Sequence, residues 1–561
     1  MHVAGELCKN LFINLDLNFD KEGNLSTAPV VQNKSSNVKY FSLKSEIIEL
    51  DNELKALWSL HSNPTEWHHD LGKFNVDIMG TLSKRIPGPY PERYLWGFAV
   101  MRLCGLLHDI GHLPYSHTSE TALIEYMREV SRNNKNSIES RILERIDSSN
   151  LSLHEHLGSL ILADLERFHE KIPIKSLTRL LVLMSNRVLF TKQFPILHSM
   201  VSGPIDADRI DYIRRDSEAS GFQKSGADYS RIFNSIGLVH FEGEVDPQMM
   251  FKNFQKHPEK HPDHILVTPG SRATSDIEKL LRERFQAYRH IYNHHKVRLF
   301  DLILTRCVVH LAKQGKFLWL IERLDAAFFP SSDALDDDEA PYQPIDEDQK
   351  EIEKMKQTYV DDKEAFYANL RSLEIQMTDG WLEQEVRSLW NKALSIDPKA
   401  LRMLKIEEWW LLTGIRNLVE DRTRFKTGFR SPKEFWEEMA VVIKPPENIE
   451  EAIQFRKNLN FEELSIRTRI LETVFLEEGI FVLFGVQNGP ESIGANKIFL
   501  NKFELAERCA DLTRLTYQSP FINFWFFVRD EKKYEKTRKK IVAELIKVIK
   551  QRLTLGLDRK K

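Results

Sequence analysis

The sequence predicts a mainly α protein: a large helical core, an additional helical region and a small C-terminal α+β unit. Three observations carry that reading. Between residues 43 and 309 the dominant apolar period is helical, with Gly and Pro gathered in a few places such as 86–90. A second helical stretch, 352–415, is rich in Trp and Leu, as in 407–412. The last hundred residues change texture. There IFVLFGV (480–486) reads as a buried strand before the turn residues Asn488, Gly489 and Pro490, and 521–528 is strand-like although Asn523 interrupts it. Leu505, Cys509 and Leu512 place a helix within 503–517, and Val542, Leu545, Ile549 and Leu553 mark a closing helix. The expected division is an N-terminal extension (1–42), a core (43–310), a helical region (311–450) and the α+β region (451–561). Within the third, 331–351 (SSDALDDDEAPYQPIDEDQKE) is acidic, carries two prolines and reads as a solvated loop.

Composition narrows the class. The 561 residues are 42% hydrophobic and 29% charged, enough apolar content for sizeable cores and inconsistent with wholesale disorder. The formal charge of −3 supplies no global attraction to nucleic acid. Residues 531–561 hold twelve basic and four acidic residues. The favoured reading of that tail is the solvated face of a terminal helix, with nucleic-acid contact the less favoured one. No apolar stretch approaches the roughly 20 residues of a spanning helix, so no membrane contact is expected. Residues 1–10 lack the basic, apolar and small-residue blocks of a secretory signal, and Cys8, Cys104, Cys307 and Cys509 form no CxxC pair. Both features predict a cytoplasmic protein.

The chemistry is concentrated in LLHDIGHLPYSHTSE (106–120). His108 and Asp109 are adjacent, and His112 follows His108 at i+4, which on a helix puts both imidazoles on one face. Imidazole beside carboxylate suits a divalent cation with a proton donor close by. The cluster His108, Asp109, His112, His117 and Glu120 in an apolar setting would be costly to bury without a function. Three other segments complement it. WHHDLG (67–72) offers His69, and LHEHLGS (153–159) offers His154 and Glu155. IDADRIDYIRRD (205–216) puts Asp208, Tyr212 and Asp216 at i, i+4 and i+8 on one helix face, with Asp206 a candidate cap after Pro204. In RFQAYRHIYNHHKV (284–297), Arg284, Tyr288 and Tyr292 share a face with Lys296 a turn beyond; the competing reading is an amphipathic helix whose tyrosines are core.

The ordered set of a His in HHDLG, then HDIGHxPxSHxxE, then HE, then DADRIDYIRRD resembles the HD-domain metal-dependent phosphohydrolases. Within them it is similar to the deoxynucleoside triphosphate triphosphohydrolases, the group containing bacterial dGTPases and the human antiretroviral dNTPase. The resemblance covers roughly residues 63–297, and it implies an HD-domain helical core. It implies that His69, His108, Asp109 and Asp208 are metal ligands for one divalent ion (Mn, Fe, Zn or Mg), with additional Mg accompanying the nucleotide. It assigns His112 and Glu120 to a catalytic pair in which the carboxylate orients the histidine. His154 matches a further active-site histidine, with His156 a competing assignment. Tyr212 and Asp216 match positions that hold the deoxyribose, and Arg209 a basic position facing the phosphates. Arg284, Tyr288, Tyr292 and Lys296 lie on a helix that in relatives reaches the triphosphate and nucleoside.

The implied reaction is hydrolysis of a deoxynucleoside triphosphate to deoxynucleoside and inorganic triphosphate, by a homo-oligomer as in many family members. The chain departs from the family at 52–67 (NELKALWSLHSNPTEW), where Glu66 stands near the place of an expected arginine. That departure keeps open an HD phosphodiesterase or nuclease acting on cyclic or polymeric nucleotides. Against the third reading, a nucleotide-sensing regulator, stand His112, Glu120 and His154, since a pure sensor needs no proton donor.

Overall fold

The computed structural model describes residues 4, 7, 91–149, 151–169, 176–191, 194–203, 205–221, 226–241, 264–269, 271–329, 378–429, 432–440, 461–487, 499–500, 503–504, 521–528 and 530–558. His69, the 52–67 segment and the acidic stretch 331–351 lie outside these residues.

The chain is mainly α. Its first half runs through α1 (Pro91–Leu107), α2 (His117–Asn133), α3 (Ile138–Ser148), α4 (Leu153–His169), α5 (Ser176–Asn186), α6 (Pro195–Ser199), α7 (Ala207–Ala219) and α8 (Tyr229–Asn234). A two-stranded antiparallel ribbon follows, β1 (Ile236–Phe241) against β2 (His264–Pro269). It stands inside a region where the sequence predicts only helices. IGLVHF and HILVTP are six residues each, too short for period 2 to stand out from the helical period on either side.

Next come α9 (Thr274–Ala287), α10 (His295–Lys313), α11 (Leu318–Phe328), α12 (Asp379–Ser395), α13 (Pro398–Leu401) and α14 (Ile406–Asp421). The C-terminal unit is β3 (Phe425–Thr427), α15 (Pro432–Met439), α16 (Phe461–Glu477), β4 (Val482–Gln487), β5 (Phe499–Leu500), β6 (Phe503–Glu504), β7 (Phe521–Phe527) and α17 (Tyr534–Asp558). Of the predicted helix within 503–517, residues 503–504 are strand and the rest lie outside the described residues.

Three apolar clusters hold these elements. The first joins α1, α5, α7 and α9 through residues such as Phe98, Met184, Ile210 and Leu280. The second joins α2, α3, α10, α11, α12 and α14. The third fills the C-terminal unit between its sheet and α15, α16 and α17. The sheet has the order β3-β7-β4, all antiparallel. On β7 the side chains alternate between clusters: Ile522, Phe524 and Phe526 join the third, Trp525 the second. Buried on both faces, β7 reads as the continuous apolar run seen in the sequence. Asn523, which interrupts that run, is buried with its amide satisfied: Oδ1 accepts from the Phe429 N–H at 3.0 Å and Nδ2 donates to the Phe429 carbonyl at 3.1 Å. Among the described residues no helix is long and apolar enough to cross a membrane.

The segment linking α1 to α2 passes from one core to another. Leu107 and Ile110 pack on the first cluster, whereas Leu113 belongs to the second. The histidine-rich segment therefore lies at the seam between the two larger cores.

Candidate metal and catalytic site

The backbone stops being helical just as the chemistry begins. The His108 N–H still bonds four residues back to Cys104 at 3.0 Å, but Ile110 and His112 bond three residues back, to Leu107 and Asp109, so the chain tightens into turns. His108 and His112 are thus not one turn apart on a continuing helix as the spacing predicts. Gly111 explains the turn. A Cβ there would meet the His154 carbonyl at 2.0 Å and the Gly158 nitrogen at 2.2 Å, so only glycine lets the turn lie against the α4 backbone. That approach brings His154 up to His112. Farther along, Tyr115 and Ser116 adopt φ of 58° and 51°, a left-handed conformation that costs non-glycine residues of order 1–3 kcal/mol each. The Asp379 carboxylate at the start of α12 accepts from the Tyr115 N–H at 2.7 Å and helps hold it.

Two groups of side chains result. In the first, His108 Nε2 lies 3.3 Å from Asp109 Oδ2 and 3.3 Å from Asp208 Oδ1. Asp208 arrives on α7, whose N-cap is Asp206: this buried carboxylate accepts from the Arg209 and Gly203 N–H groups at 2.7 and 2.8 Å. Burial, partly offset by Arg209, pushes the Asp206 carboxyl up to about 6. Both ring nitrogens of His108 are buried without a hydrogen bond among the described residues. An imidazole nitrogen facing two carboxylate oxygens, yet engaged by neither in hydrogen-bond geometry, fits a cation ligand. Two donors about 2.0–2.1 Å from one ion, at angles of roughly 90–110°, stand about 2.9–3.4 Å apart, which brackets the observed separations. The donor set of one imidazole and two carboxylates accommodates Mn, Fe, Zn or Mg. His69, the fourth ligand implied by the resemblance, lies outside the described residues.

In the second group, Glu120 Oε2 is 3.0 Å from His154 Nδ1, and its Oε1 accepts from the His154 N–H at 3.3 Å. His117 Nδ1 is 3.4 Å from the same carboxylate. Burial alone would raise the Glu120 carboxyl, but hydrogen bonds from His117 and His154 and the His154 charge take it well below the usual carboxylate range. The His112 ring stacks on His154 with centroids 4.1 Å apart, and His117 meets His112 edge-on at 4.7 Å. Glu120 thus orients His154, where the sequence pairs it with His112. The partners of His112 are Asp109 Oδ1, 3.3 Å from Nε2, and Ser116 Oγ, 3.3 Å from Nδ1. Asp109 therefore touches both groups, one oxygen toward His108 and the other toward His112. Burial opposes its ionisation, but the His112 hydrogen bond and the neighbouring imidazoles hold its carboxyl below the usual value.

Of the two candidates in LHEHLGS, His154 joins the cluster. His156 turns away, with its Nε2 2.9 Å from Ser149 Oγ and its ring 4.8 Å from Phe328. His117 is the member to which the sequence assigned no role; its signal was the position three residues before Glu120.

A second wall forms where α7 meets α9. Tyr212 and Asp216 follow Asp208 along α7, all three half-buried. Arg284, 6% exposed, donates from Nε to the Tyr212 hydroxyl at 3.0 Å, and its guanidinium lies over the Tyr288 ring at 4.8 Å. The Tyr292 hydroxyl donates to Asp216 Oδ2. Burial pushes the Tyr212 phenol far up, so it stays protonated at neutral pH. The helix expected over 284–297 is not continuous. Tyr288–Tyr292 form a single π-turn, Asn293 bonds back to the Tyr288 carbonyl at 2.8 Å, and α10 starts afresh at His295. Lys296 is therefore exposed in the first turn of a different helix. Arg209 folds back on its own cap, with Nη1 donating to the Gly203 carbonyl and Nε 3.8 Å from Asp206.

No protein-family model matches the chain. It is similar to the uncharacterized protein MJ1154 of Methanocaldococcus jannaschii, 26% identical over 248 residues (44% of this chain, 40% of that protein). It also resembles the MG461 homolog of Mycoplasma pneumoniae, 28% identical over 188 residues (32% and 37%), and YwfO of Bacillus subtilis, 22% identical over 253 residues (45% and 45%). The chain thus matches less than half the length of each of these curated relatives. Among solved structures it has a loose likeness to a phosphohydrolase from Bacteroides thetaiotaomicron, with a TM-score of 0.40 and 16% identity over 82% of this chain and 85% of that one.

Proposed function

We propose that the chain is a metal-dependent phosphohydrolase of the HD-domain type that converts deoxynucleoside triphosphates to deoxynucleoside and inorganic triphosphate. The observation that carries the reading is the pairing of the two groups. His108, Asp109 and Asp208 supply a donor set suited to a cation, and the stacked His112 and His154, with Glu120 behind His154, stand directly against it.

A divalent ion held by His108, Asp109, Asp208 and His69 would neutralise phosphate oxygens and acidify a water molecule. The remaining work falls to the side chains. Glu120 accepts from His154 Nδ1, which fixes the ring, and Nε2, 3.3 Å from Ser152 Oγ, would exchange a proton with the substrate. A positioned acid or base of this kind contributes about 10²- to 10⁴-fold. Attack of water on the α-phosphorus would form the new P–O bond while the bond to the 5′-oxygen breaks; the imidazole pair would give the departing oxygen its proton and take back the one the water releases. Tyr212, held by Arg284, would pack against C2′ of the sugar and leave little room for a hydroxyl there. Asp216, held by Tyr292, would accept from the 3′-hydroxyl. Arg284 would be the candidate cation for the phosphates, because a guanidinium fork can bridge two oxygens.

Ion-exchange separation of the products formed from a panel of dNTPs, NTPs and cyclic nucleotides tests the proposal. Intact triphosphate with a deoxynucleoside is the expected result. Pyrophosphate with a monophosphate, or orthophosphate with a diphosphate, would mean that a different bond is cleaved. Turnover of cyclic or polymeric nucleotides alone would replace this reading with a diesterase.

A further inference from the structure

A cavity of about 590 Å³ lies in the C-terminal half between α13–α14 and the ends of β7 and α16, and none of the histidine-site residues line it. Trp409, Thr413 and Asn417 follow one another at i, i+4 and i+8 on α14, so one stripe of the helix forms a wall. Phe527, the last residue of β7, contributes a half-buried ring to the same cavity. Two members of the stripe are polar. Thr413 Oγ1 is buried without a hydrogen bond among the described residues, and the cavity-lining Asn417 is 3% exposed. The Asn417 amide lines the cavity and can take a donor and an acceptor from a ligand there. The charged lining is Arg402 and Lys533, both exposed and neither ion-paired among the described residues, with Glu420, which pairs with Arg416, and Asp530, which accepts from the Lys532 N–H. Aromatic walls, a few convergent polar groups and a volume in the range of small-molecule sites make up a ligand pocket.

We infer that this cavity binds a planar heteroaromatic molecule carrying one anionic group. The ring would lie against Trp409 and Phe527, its donor–acceptor edge would meet the Asn417 amide, and its anion would sit toward Arg402 and Lys533. Asn417 decides against a plain hydrocarbon ring, because an apolar edge would offer the amide neither donor nor acceptor. A nucleoside monophosphate and a heteroaromatic carboxylate both carry this chemistry, and they are the two probe classes to compare.

Calorimetric titration of the full-length protein with dAMP, with indole-3-acetate and with inorganic phosphate alone tests the inference. Saturable binding of dAMP or of the carboxylate is expected, and whichever binds identifies the source of the anion. Asn417→Leu, close in size to the native side chain, should weaken that binding at least tenfold, as should Arg402→Glu, whose exposed position leaves the fold intact. Asp208→Ala, in the histidine site, should leave it unchanged, which separates this pocket from the proposed active site and makes the result independent of whether dNTPs are hydrolysed. Three results would overturn the inference: no saturable binding of either aromatic probe, phosphate alone binding as tightly as dAMP, or binding that Asp208→Ala abolishes while Asn417→Leu and Arg402→Glu leave it intact.

Discussion

At the seam of the two larger cores, His108 turns a buried Nε2 toward Asp109 and Asp208, yet neither of its ring nitrogens makes a hydrogen bond among the described residues. At the junction with the C-terminal unit the same kinds of charge are gathered to the opposite end. Glu472, 3% exposed, accepts from the Phe484 N–H at 2.7 Å and meets Arg306 at 3.3 Å; Arg306 reaches Glu125 at 3.2 Å, and Arg469 pairs with Glu125. There each carboxylate has a guanidinium, and the network joins α2, α10 and α16. The two places differ in exposure, the side chains of Asp109 and Asp208 being 52% and 40% open against 4% for that of Glu472, and in how their buried atoms are partnered. Carboxylates paired with guanidinium groups serve the fold, whereas the buried His108 nitrogens that face two open carboxylates are arranged for something that arrives later.

This contrast can be broken by substitution, and the effects should differ in kind as well as size. Glu120→Gln and His154→Ala should lower turnover by about 10²- to 10⁴-fold while bound metal stays near the wild-type level, as read by single-turnover kinetics beside elemental analysis. Loss of metal in step with activity would move these residues into the ligand set. Glu472→Ala should leave metal content unchanged but cost about 3–5 kcal/mol of stability, because it strands the Phe484 N–H and Arg306; urea titration reads this, and a cost below about 1 kcal/mol would remove the network from the account of the fold. Tyr212→Phe deprives the buried Arg284 of an acceptor, for about 1–3 kcal/mol, and should keep the preference for deoxynucleotides, whereas Tyr212→Ala should weaken it. Equal turnover of ATP and dATP by the unaltered protein would remove Tyr212 from that role. The smallest effect is expected at exposed Lys296, where Ala should change the apparent substrate affinity by no more than about 0.5 kcal/mol. A tenfold rise in KM would put the triphosphate against α10 after all.

Much of this was legible in the sequence because it depends on local pattern. Asp206 follows Pro204 and caps α7, and the spacing of Asp208, Tyr212 and Asp216 places them along one helix. The runs read as strands at 480–486 and 521–528 became β4 and β7, shifted by one or two residues at their ends. What escaped depends on long-range packing. That Glu120 serves His154 and not His112 follows from how closely Gly111 lets the loop approach α4, a contact between segments over forty residues apart. The π-turn at Tyr288–Tyr292 is another such case, since a helical period carries no mark of one widened turn. The three-residue strand β3 pairs with β7 about a hundred residues later, too short and too distant for any pattern to announce it.

The central claim is that His108, Asp109 and Asp208 hold a metal ion, and elemental analysis of the purified full-length protein beside its Asp208→Ala variant tests it most directly. About one equivalent of a divalent transition metal or magnesium in the unaltered protein, and none in a variant that keeps its helical circular dichroism, is the predicted result. Full metal occupancy in the folded Asp208→Ala variant would contradict the account.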